Sequence, residues 1–134
     1  MHNPVIRFRI DFAENSYVGP GKIDLLEAIR DCGSLSQAAR DLGMSYRRAW
    51  LLIDSFKGAF RKPVTSATTG GKGGGGVALT QFGEALVESY RGLEREFARL
   101  AARRLRLLSA AVRRKAAPRT AAARRPLAHR AAHR

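Results

Sequence analysis

Hydrophobic and polar residues alternate strictly near the start of the chain, over residues 5–12 (VIRFRIDF). The apolar members of this segment fall on one face: Ile6, Phe8, Ile10 and Phe12. The charged members fall on the other face: Arg7, Arg9 and Asp11. A period of two with β-branched and aromatic residues is typical of a half-buried strand. We therefore predict a strand over 5–12 with a solvated charged face.

After the turn-forming segment 15–21 the period changes to three and four. Ile23, Leu26 and Ile29 share one face of a predicted helix over 22–32, which ends at Gly33. Residues 33–60 then predict two short helices joined by a tight turn.

Capping residues and a glycine divide residues 33–60 into those two helices. Ser36 can cap the first, over 37–42, and Gly43 supplies the left-handed residue that ends it. Ser45 can cap the second, over 46–60. Apolar residues three and four apart on the second helix form a predicted buried stripe: Tyr46, Ala49, Trp50, Ile53, Phe56 and Phe60.

The same periodicity leaves the N-terminal half of the second helix exposed at Ser45, Arg47, Arg48 and Leu51. A recognition helix in a DNA major groove uses that half to contact bases and phosphates. The pattern therefore indicates a helix-turn-helix. An ordinary helical hairpin would give a similar turn and remains the alternative.

A glycine-rich loop at residues 70–76 (GGKGGGG) separates two β-prone segments, 63–69 and 77–79. These segments predict a β-hairpin, which in a winged helix is the wing that touches DNA beside the recognition helix. Lys72 is the charge at its tip, between Gly71 and Gly73. A nucleotide-binding loop would need Ser or Thr after the lysine, which argues against nucleotide hydrolysis. A flexible linker remains the alternative.

Apolar residues continue at heptad spacing over residues 81–108, a predicted helix capped by Thr80. Such a helix would be about 42 Å long at 1.5 Å per residue, which is longer than a small domain is wide. Part of its apolar seam must therefore contact another surface, and we predict a second copy of the chain. The predicted dimerisation residues are Leu86, Tyr90, Leu93, Phe97 and Leu100.

Charge is concentrated at the C-terminal end. Of the 25 Lys and Arg, residues 97–134 hold 12 and none of the 11 Asp and Glu, so residues 1–96 carry a net of only +2. We predict a DNA-binding and dimerisation domain over 1–108 and a basic, disordered tail over 109–134. His129 and His133 in the tail have no Cys or acidic neighbours, so we expect no metal site.

Several classes of protein are excluded by composition. Cys32 is the single cysteine, so an intrachain disulfide is impossible. No apolar run approaches the roughly 18 residues of a membrane span, and the first residues lack the apolar segment of a signal peptide. We therefore expect a cytoplasmic protein with no membrane partner.

Two stretches, GSLSQAARDLGMSYRRAW (33–50) and TGGKGGGGVALTQFGEAL (69–86), resemble the N-terminal DNA-binding domain of ModE-type molybdate-responsive transcriptional regulators. That domain is a winged helix related to the LysR type, and the resemblance covers about residues 5–108. It implies that residues 45–57 enter the major groove, that Lys72 and its glycines form the wing, and that helices 22–32 and 81–108 dimerise. It also implies a link to molybdenum metabolism. Family members that sense molybdate carry β-rich oxyanion-binding domains where this sequence has a basic tail, so we do not expect this chain to bind molybdate.

The sequence thus predicts a mainly α protein with a small β-hairpin wing, a winged helix-turn-helix with a long C-terminal dimerisation helix. We expect a homodimeric, sequence-specific transcription regulator that binds double-stranded DNA, is not an enzyme and needs no cofactor. The expected DNA-binding residues are Ser45, Tyr46, Arg47, Arg48, Lys57, Arg61, Lys62, Gly71, Lys72 and Gly73. Two alternatives stay open: a molybdate-binding or molybdenum-trafficking protein, and an architectural protein that coats DNA without sequence preference.

Overall fold

The computed structural model describes residues 3–69 and 75–113. Within them lie two antiparallel hairpins and five helices, in the order β1 (Ile10–Ala13), β2 (Ser16–Val18), α1 (Pro20–Cys32), α2 (Leu35–Asp41), α3 (Tyr46–Ala59), β3 (Thr65–Thr68), β4 (Gly76–Leu79), α4 (Gln81–Arg104) and α5 (Arg106–Ala110). The fold is mainly helical, and its element order is compatible with a winged helix. None of the described helices is both long and apolar enough to cross a membrane.

The first hairpin is shorter than the alternation of residues 5–12 predicts. β1 begins only at Ile10 and pairs with β2. Upstream of it, the Phe8 ring stacks on the Tyr90 ring of α4 at 4.5 Å, and the Tyr90 hydroxyl donates a hydrogen bond to the Phe8 carbonyl oxygen. The prediction of a strand over 5–9 was wrong because Phe8 alone of this segment packs on α4, whereas Val5 and Ile6 stay exposed and supply no buried strand face.

Helix α1 lies at the centre of the core, as its periodicity predicts. Ile23, Leu26 and Ile29 are fully buried. The helix ends at Gly33, whose left-handed φ of 73° lets its N–H donate to the Ile29 oxygen at 2.8 Å. The left-handed conformation of Gly33 therefore ends α1 and turns the chain toward the start of α2.

Helices α2 and α3 form the predicted two-helix unit, with one change of cap. Ser34, and not Ser36, caps α2, since its Oγ accepts the Gln37 N–H at 3.1 Å. Ser34 has the extended backbone that a cap needs, whereas Ser36 already lies inside the helix. Gly43 takes a left-handed φ of 69° in the turn, and Ser45 caps α3, both as predicted.

Strands β3 and β4 follow α3 directly and pair antiparallel at four positions, which confirms the predicted hairpin. One backbone hydrogen bond attaches it to the end of α1, and a second closes the base of the hairpin itself. The Val77 N–H donates to the Gly33 oxygen at 3.1 Å, and the Thr80 N–H donates to the Val64 oxygen at 3.0 Å. The hairpin is thus held against the end of α1, while residues 70–74 lie outside the described part of the chain.

Helix α4 is the longest helix, but it ends earlier than predicted. Leu105 leaves the regular helical conformation with a ψ of 17°, and the separate short helix α5 follows. The single helix predicted over 81–108 was therefore wrong beyond Arg104. Like charges three and four residues apart weaken a helix, and Arg99, Arg103 and Arg106 stand at those spacings across the break.

Two clusters of buried side chains join these elements. The larger connects α1 and α3 to α4 and the hairpins: Val18, Ile23, Leu26, Phe56, Val64, Leu86, Val87 and Tyr90. The smaller connects α1 to α2 and α3: Leu25, Ile29, Ala38, Ala39 and Ala49. Ala49 and Phe56 belong to different clusters, so α3 is fixed along its length and its opposite side faces outward.

Candidate nucleic-acid interface

The N-terminal half of α3 presents two exposed arginines, Arg47 and Arg48. Ser45 fixes the start of the helix, because its Oγ accepts the Arg48 N–H at 3.0 Å. Ala49 follows directly and is fully buried. A helix turns by 3.6 residues, so burial of Ala49 directs Arg47 away from the core. The predicted exposure of both guanidinium groups agrees with the structure.

Neither arginine is engaged by an acidic side chain. Within residues 3–69 and 75–113, none of the ion pairs shorter than 4.0 Å involves Arg47 or Arg48. The first turn of α3 contains no acidic residue either. A guanidinium fork without an internal partner can bind a guanine edge or a phosphate in bidentate fashion.

The other predicted phosphate contacts lie at the far end of α3. Lys57, Arg61 and Lys62 line one shallow cavity of about 200 Å³ at the base of the second hairpin. All three side chains are exposed, and Lys57 alone of them has an ion-pair partner among the described residues, Asp54 at 3.5 Å. The structure therefore brings together three cations that are up to five positions apart in the sequence.

Two aromatic side chains that were expected in the core are exposed instead. Tyr46 and Trp50 retain 56% and 46% of their accessible surface. Both line an open cleft of about 520 Å³ between α2, α3 and the second hairpin. The buried-stripe prediction was wrong at these two positions because the helix core face centres on Ala49 and Phe56, and the hairpin leaves the adjoining face uncovered.

Four of the predicted DNA contacts remain, namely Ser45 and the three residues of the wing tip. Ser45 is exposed, and its hydroxyl oxygen already serves as the cap of α3. Gly71, Lys72 and Gly73, the predicted wing tip, lie outside the described residues. The positions of β3 and β4 show only that the base of the hairpin lies beside α3 across the cleft.

Charge is distributed unequally over the molecule. Residues 34–69, which include α2, α3 and β3, hold six Lys and Arg against two Asp, a net of +4. Helices α1 and α4 together hold seven basic and seven acidic residues, so their net charge is zero. Residues 97–113 hold a further five Arg and no acidic residue, so the part that contains the two exposed arginines is one of two cationic stretches among the described residues. A cationic surface is what binding of a polyanion requires.

The predicted dimerisation residues divide into three groups. Leu86 and Tyr90 are 8% and 1% exposed within the chain's own core, so they are not free for an interface. Phe97 is half-buried, with its ring 4.9 Å from that of Phe8. Leu93 is half-buried, and Leu100 is 40% exposed. Heptad spacing could not separate these groups, because the same seam contacts the core, the N-terminal segment and solvent in turn.

One polar cluster, centred on Arg91, was not predicted from the sequence. The guanidinium donates to both Glu27 oxygens at 2.6 and 2.9 Å, to Asp24 at 2.8 Å and to Glu94 at 2.8 Å. The hydrogen bonds from Arg91 lower the pKa of Glu27 against the opposing effect of burial. Only the Arg91–Glu94 spacing was visible in the sequence, since the other partners lie on α1.

The Arg91 cluster ties α1 to α4 on the neutral side of the molecule. Within the described residues, no group of three or more His, Cys, Asp or Glu side chains is placed to hold a metal ion.

Comparison with known proteins finds relatives over most of the chain, although no protein-family model matches it. The chain is 37% identical over 95 residues to the transcriptional regulator ModE of Haemophilus influenzae. It is 36% identical over 85 residues to the DNA-binding transcriptional dual regulator ModE of Escherichia coli K12. It is also 41% identical over 83 residues to the molybdenum-pterin-binding protein MopB of Rhodobacter capsulatus.

These matches cover 71%, 63% and 62% of the chain, but only 37%, 32% and 31% of the relatives. The chain thus corresponds to about a third of the length of the curated proteins that it matches. ModE transcriptional regulators and molybdenum-pterin-binding proteins are therefore its homologues over a shared segment.

Proposed function

We propose that the chain is a sequence-specific DNA-binding regulator in which α2, α3 and the second hairpin act as a winged helix. In this proposal α3 lies in the major groove, and the hairpin contacts the adjacent backbone or minor groove. Arg47 and Arg48 are its base or phosphate contacts, and Lys57, Arg61 and Lys62 are phosphate contacts. Residues 1–108 form the DNA-binding and dimerisation unit, and the basic residues of 109–134 add contacts that do not depend on sequence.

The observation that carries this proposal is the pair of exposed arginines on α3 that have no acidic partner among the described residues and lie in a cationic stretch of the chain. Arg95 on α4, by contrast, is paired with Glu88 at 3.1 Å. Similarity to two proteins named as ModE transcriptional regulators supports the same function. Catalysis forms no part of the proposal.

The proposal is tested by selecting bound sequences from a random duplex pool with the full chain, and by measuring affinity for the selected duplex at fixed salt. Arg47→Ala or Arg48→Ala should weaken specific binding by about 1–3 kcal/mol, which is roughly 5- to 150-fold, if the residue makes a bidentate contact with guanine. Arg95→Ala is the matched control, because Arg95 is also an exposed arginine but lies on α4.

Three results would count against the proposal. Equal binding by both arginine variants and the wild type would move recognition away from α3. Equal losses in Arg95→Ala would show that only total charge matters. A wild type that prefers no sequence would indicate the architectural alternative, in which binding falls with salt but not with sequence.

A second candidate function rests on the similarity to the molybdenum-pterin-binding protein MopB. In this alternative the chain binds a molybdenum species itself. Isothermal titration of the full chain with molybdate distinguishes the two: saturable heat at one stoichiometric site would favour molybdenum binding, and we expect none.

A further inference from the structure

The outward side of α3 carries an apolar patch that consists of Tyr46, Trp50 and Leu51. These side chains are 56%, 46% and 47% exposed. Trp50 follows Tyr46 by four residues, and these two side chains line the cleft between α2, α3 and the second hairpin. Leu51 follows Arg47 by four residues and lies on the other side of Arg47 from Trp50. The apolar patch therefore lies beside a guanidinium group that has no ion-pair partner among the described residues.

The surroundings of the patch determine what can cover it. The part of the chain that contains α3 carries a net of +4, with Arg47 and Arg48 within one turn of the patch. An apolar partner without negative charge would leave those guanidinium groups to lose water without compensation. A partner that covers the patch must therefore carry both apolar groups and negative charge, close enough together to contact the patch and the neighbouring guanidinium groups at once.

Duplex DNA meets both requirements in its major groove. Phosphates flank the groove on both sides, and among the base edges inside it the 5-methyl group of thymine is the apolar feature. An indole or isobutyl group that contacts this methyl removes apolar surface from water on both partners. A base without the methyl offers no such contact.

We infer that the apolar patch reads thymine 5-methyl groups, with Trp50 and Leu51 as specificity-determining side chains. This inference rests on the proposed function and adds a base class to it. Arg47 and Arg48 recognise guanine edges or phosphates, whereas Trp50 and Leu51 favour thymine at neighbouring positions. Neither Trp50 nor Leu51 was among the DNA contacts predicted from the sequence.

Replacing thymine by deoxyuridine in the selected duplex tests the inference directly. The exchange removes the methyl group and keeps base pairing and phosphate charge. Each contacted thymine should lose about fourfold in wild-type affinity when it becomes deoxyuridine, since burial of one methyl-sized group contributes about 0.8 kcal/mol and 1.4 kcal/mol is tenfold. Thymines outside the contacted positions should show no change.

Two variants connect the methyl effect to these side chains. Trp50→Ala and Leu51→Ala should each bind the thymine and deoxyuridine duplexes equally at the position that the missing side chain contacts. Val5→Ala is the control, because Val5 is 70% exposed but lies in the N-terminal segment, and it should keep the fourfold difference. Circular dichroism shows whether each variant is folded, which we expect because the truncated side chains face outward.

Every outcome bears on the inference. A wild type that selects a sequence but binds thymine and deoxyuridine duplexes equally overturns the inference and leaves the proposed function intact. Variants that keep the methyl effect also overturn it. If Trp50→Ala changes self-association by light scattering and not the methyl effect, the patch is a protein interface. A chain that selects no sequence overturns the proposed function and the inference together, and the selection step alone reveals this.

Discussion

Arginine occurs in two kinds of environment in this molecule. Arg91 is held by three carboxylates, and this raises its pKa, chiefly through the hydrogen bonds with Glu27. Arg47 and Arg48 have no such partners within the described residues. A satisfied guanidinium stabilises the fold, whereas an exposed one without an acidic neighbour is available to an external anion. The residue type is the same, and its surroundings separate a structural role from a binding role.

The Arg91 cluster predicts a pH dependence of stability. Glu27 has a lower pKa in the folded chain than its ordinary value. Its contribution is therefore fully present above the unfolded pKa of about 4.3 and is lost as pH falls through the lower folded pKa. We expect the urea midpoint of the wild type to fall more steeply below about pH 5 than that of Glu27→Gln.

Glu96→Gln serves as the comparison, because Glu96 is an exposed carboxylate outside the ion pairs of the described residues. It should follow the wild type across the acid range. Parallel curves for Glu27→Gln and the wild type would show that the Arg91 hydrogen bonds do not stabilise the fold.

At the scale of elements, contacts at the start of α4 fix the position of the base of the second hairpin. Thr80 caps α4 by accepting the Gly83 N–H at 3.0 Å, and its own N–H donates to the Val64 oxygen at 3.0 Å. A Cβ on Gly83 would lie only 2.2 Å from that same Val64 oxygen. The close approach needs glycine, and it fixes where the base of the hairpin lies relative to α4.

Gly83→Ala should therefore destabilise the chain by about 1–3 kcal/mol. The added Cβ would clash with the Val64 backbone, which cannot move aside as a flexible side chain can. Gly92→Ala on the same helix is the control, because its added Cβ would meet only the Arg95 side chain, at 3.7 Å. That change should stabilise by roughly 0.5–1 kcal/mol through helix propensity. Urea unfolding measures both, and a shift of the same sign in both variants would contradict the packing argument.

At the scale of the whole molecule, one group of exposed apolar side chains lies toward the C-terminal end of the described chain. They are Leu100, Leu107, Leu108 and Val112. Leu86 and Tyr90 are committed to the core, so an interface between two copies would have to lie beyond them. We therefore propose that two copies of the chain associate through the exposed apolar residues at the C-terminal end of α4 and on α5. A two-fold operator needs recognition helices about 34 Å apart, and α4 is long enough to set such a separation.

The double variant Leu93→Glu with Leu100→Glu tests this location. Carboxylates buried without partners at an interface are strongly unfavourable, so light scattering should report a monomer. Loss of the second contact should weaken operator binding by about a hundredfold or more. Ala98→Glu, which lies on the opposite side of the helix from Leu100, should remain a dimer with wild-type affinity. A dimeric double variant would place the interface elsewhere, and circular dichroism verifies that it is folded.

Local chemistry in the sequence determined most elements of this protein. The α1 core face, the stop at Gly33, the turn at Gly43, the Ser45 cap and the second hairpin all depend on short-range preferences. Backbone conformation and capping depend on neighbours within a few positions, so a single chain reports them. The exposure of Arg47 and Arg48 was predictable for the same reason, because helical periodicity sets it.

Tertiary packing decided the features that depend on distant residues. Periodicity identifies the apolar face of a helix but not which element covers that face. Tyr46 and Trp50 are therefore exposed, although their helical spacing predicted burial in the core. Leu86 and Tyr90 lie in the chain's own core, and Phe8 packs on α4 where a strand was predicted. The Arg91 cluster joins residues 64 and 67 positions apart in the sequence. In each case the deciding contact comes from another element, and only the folded chain brings the two together.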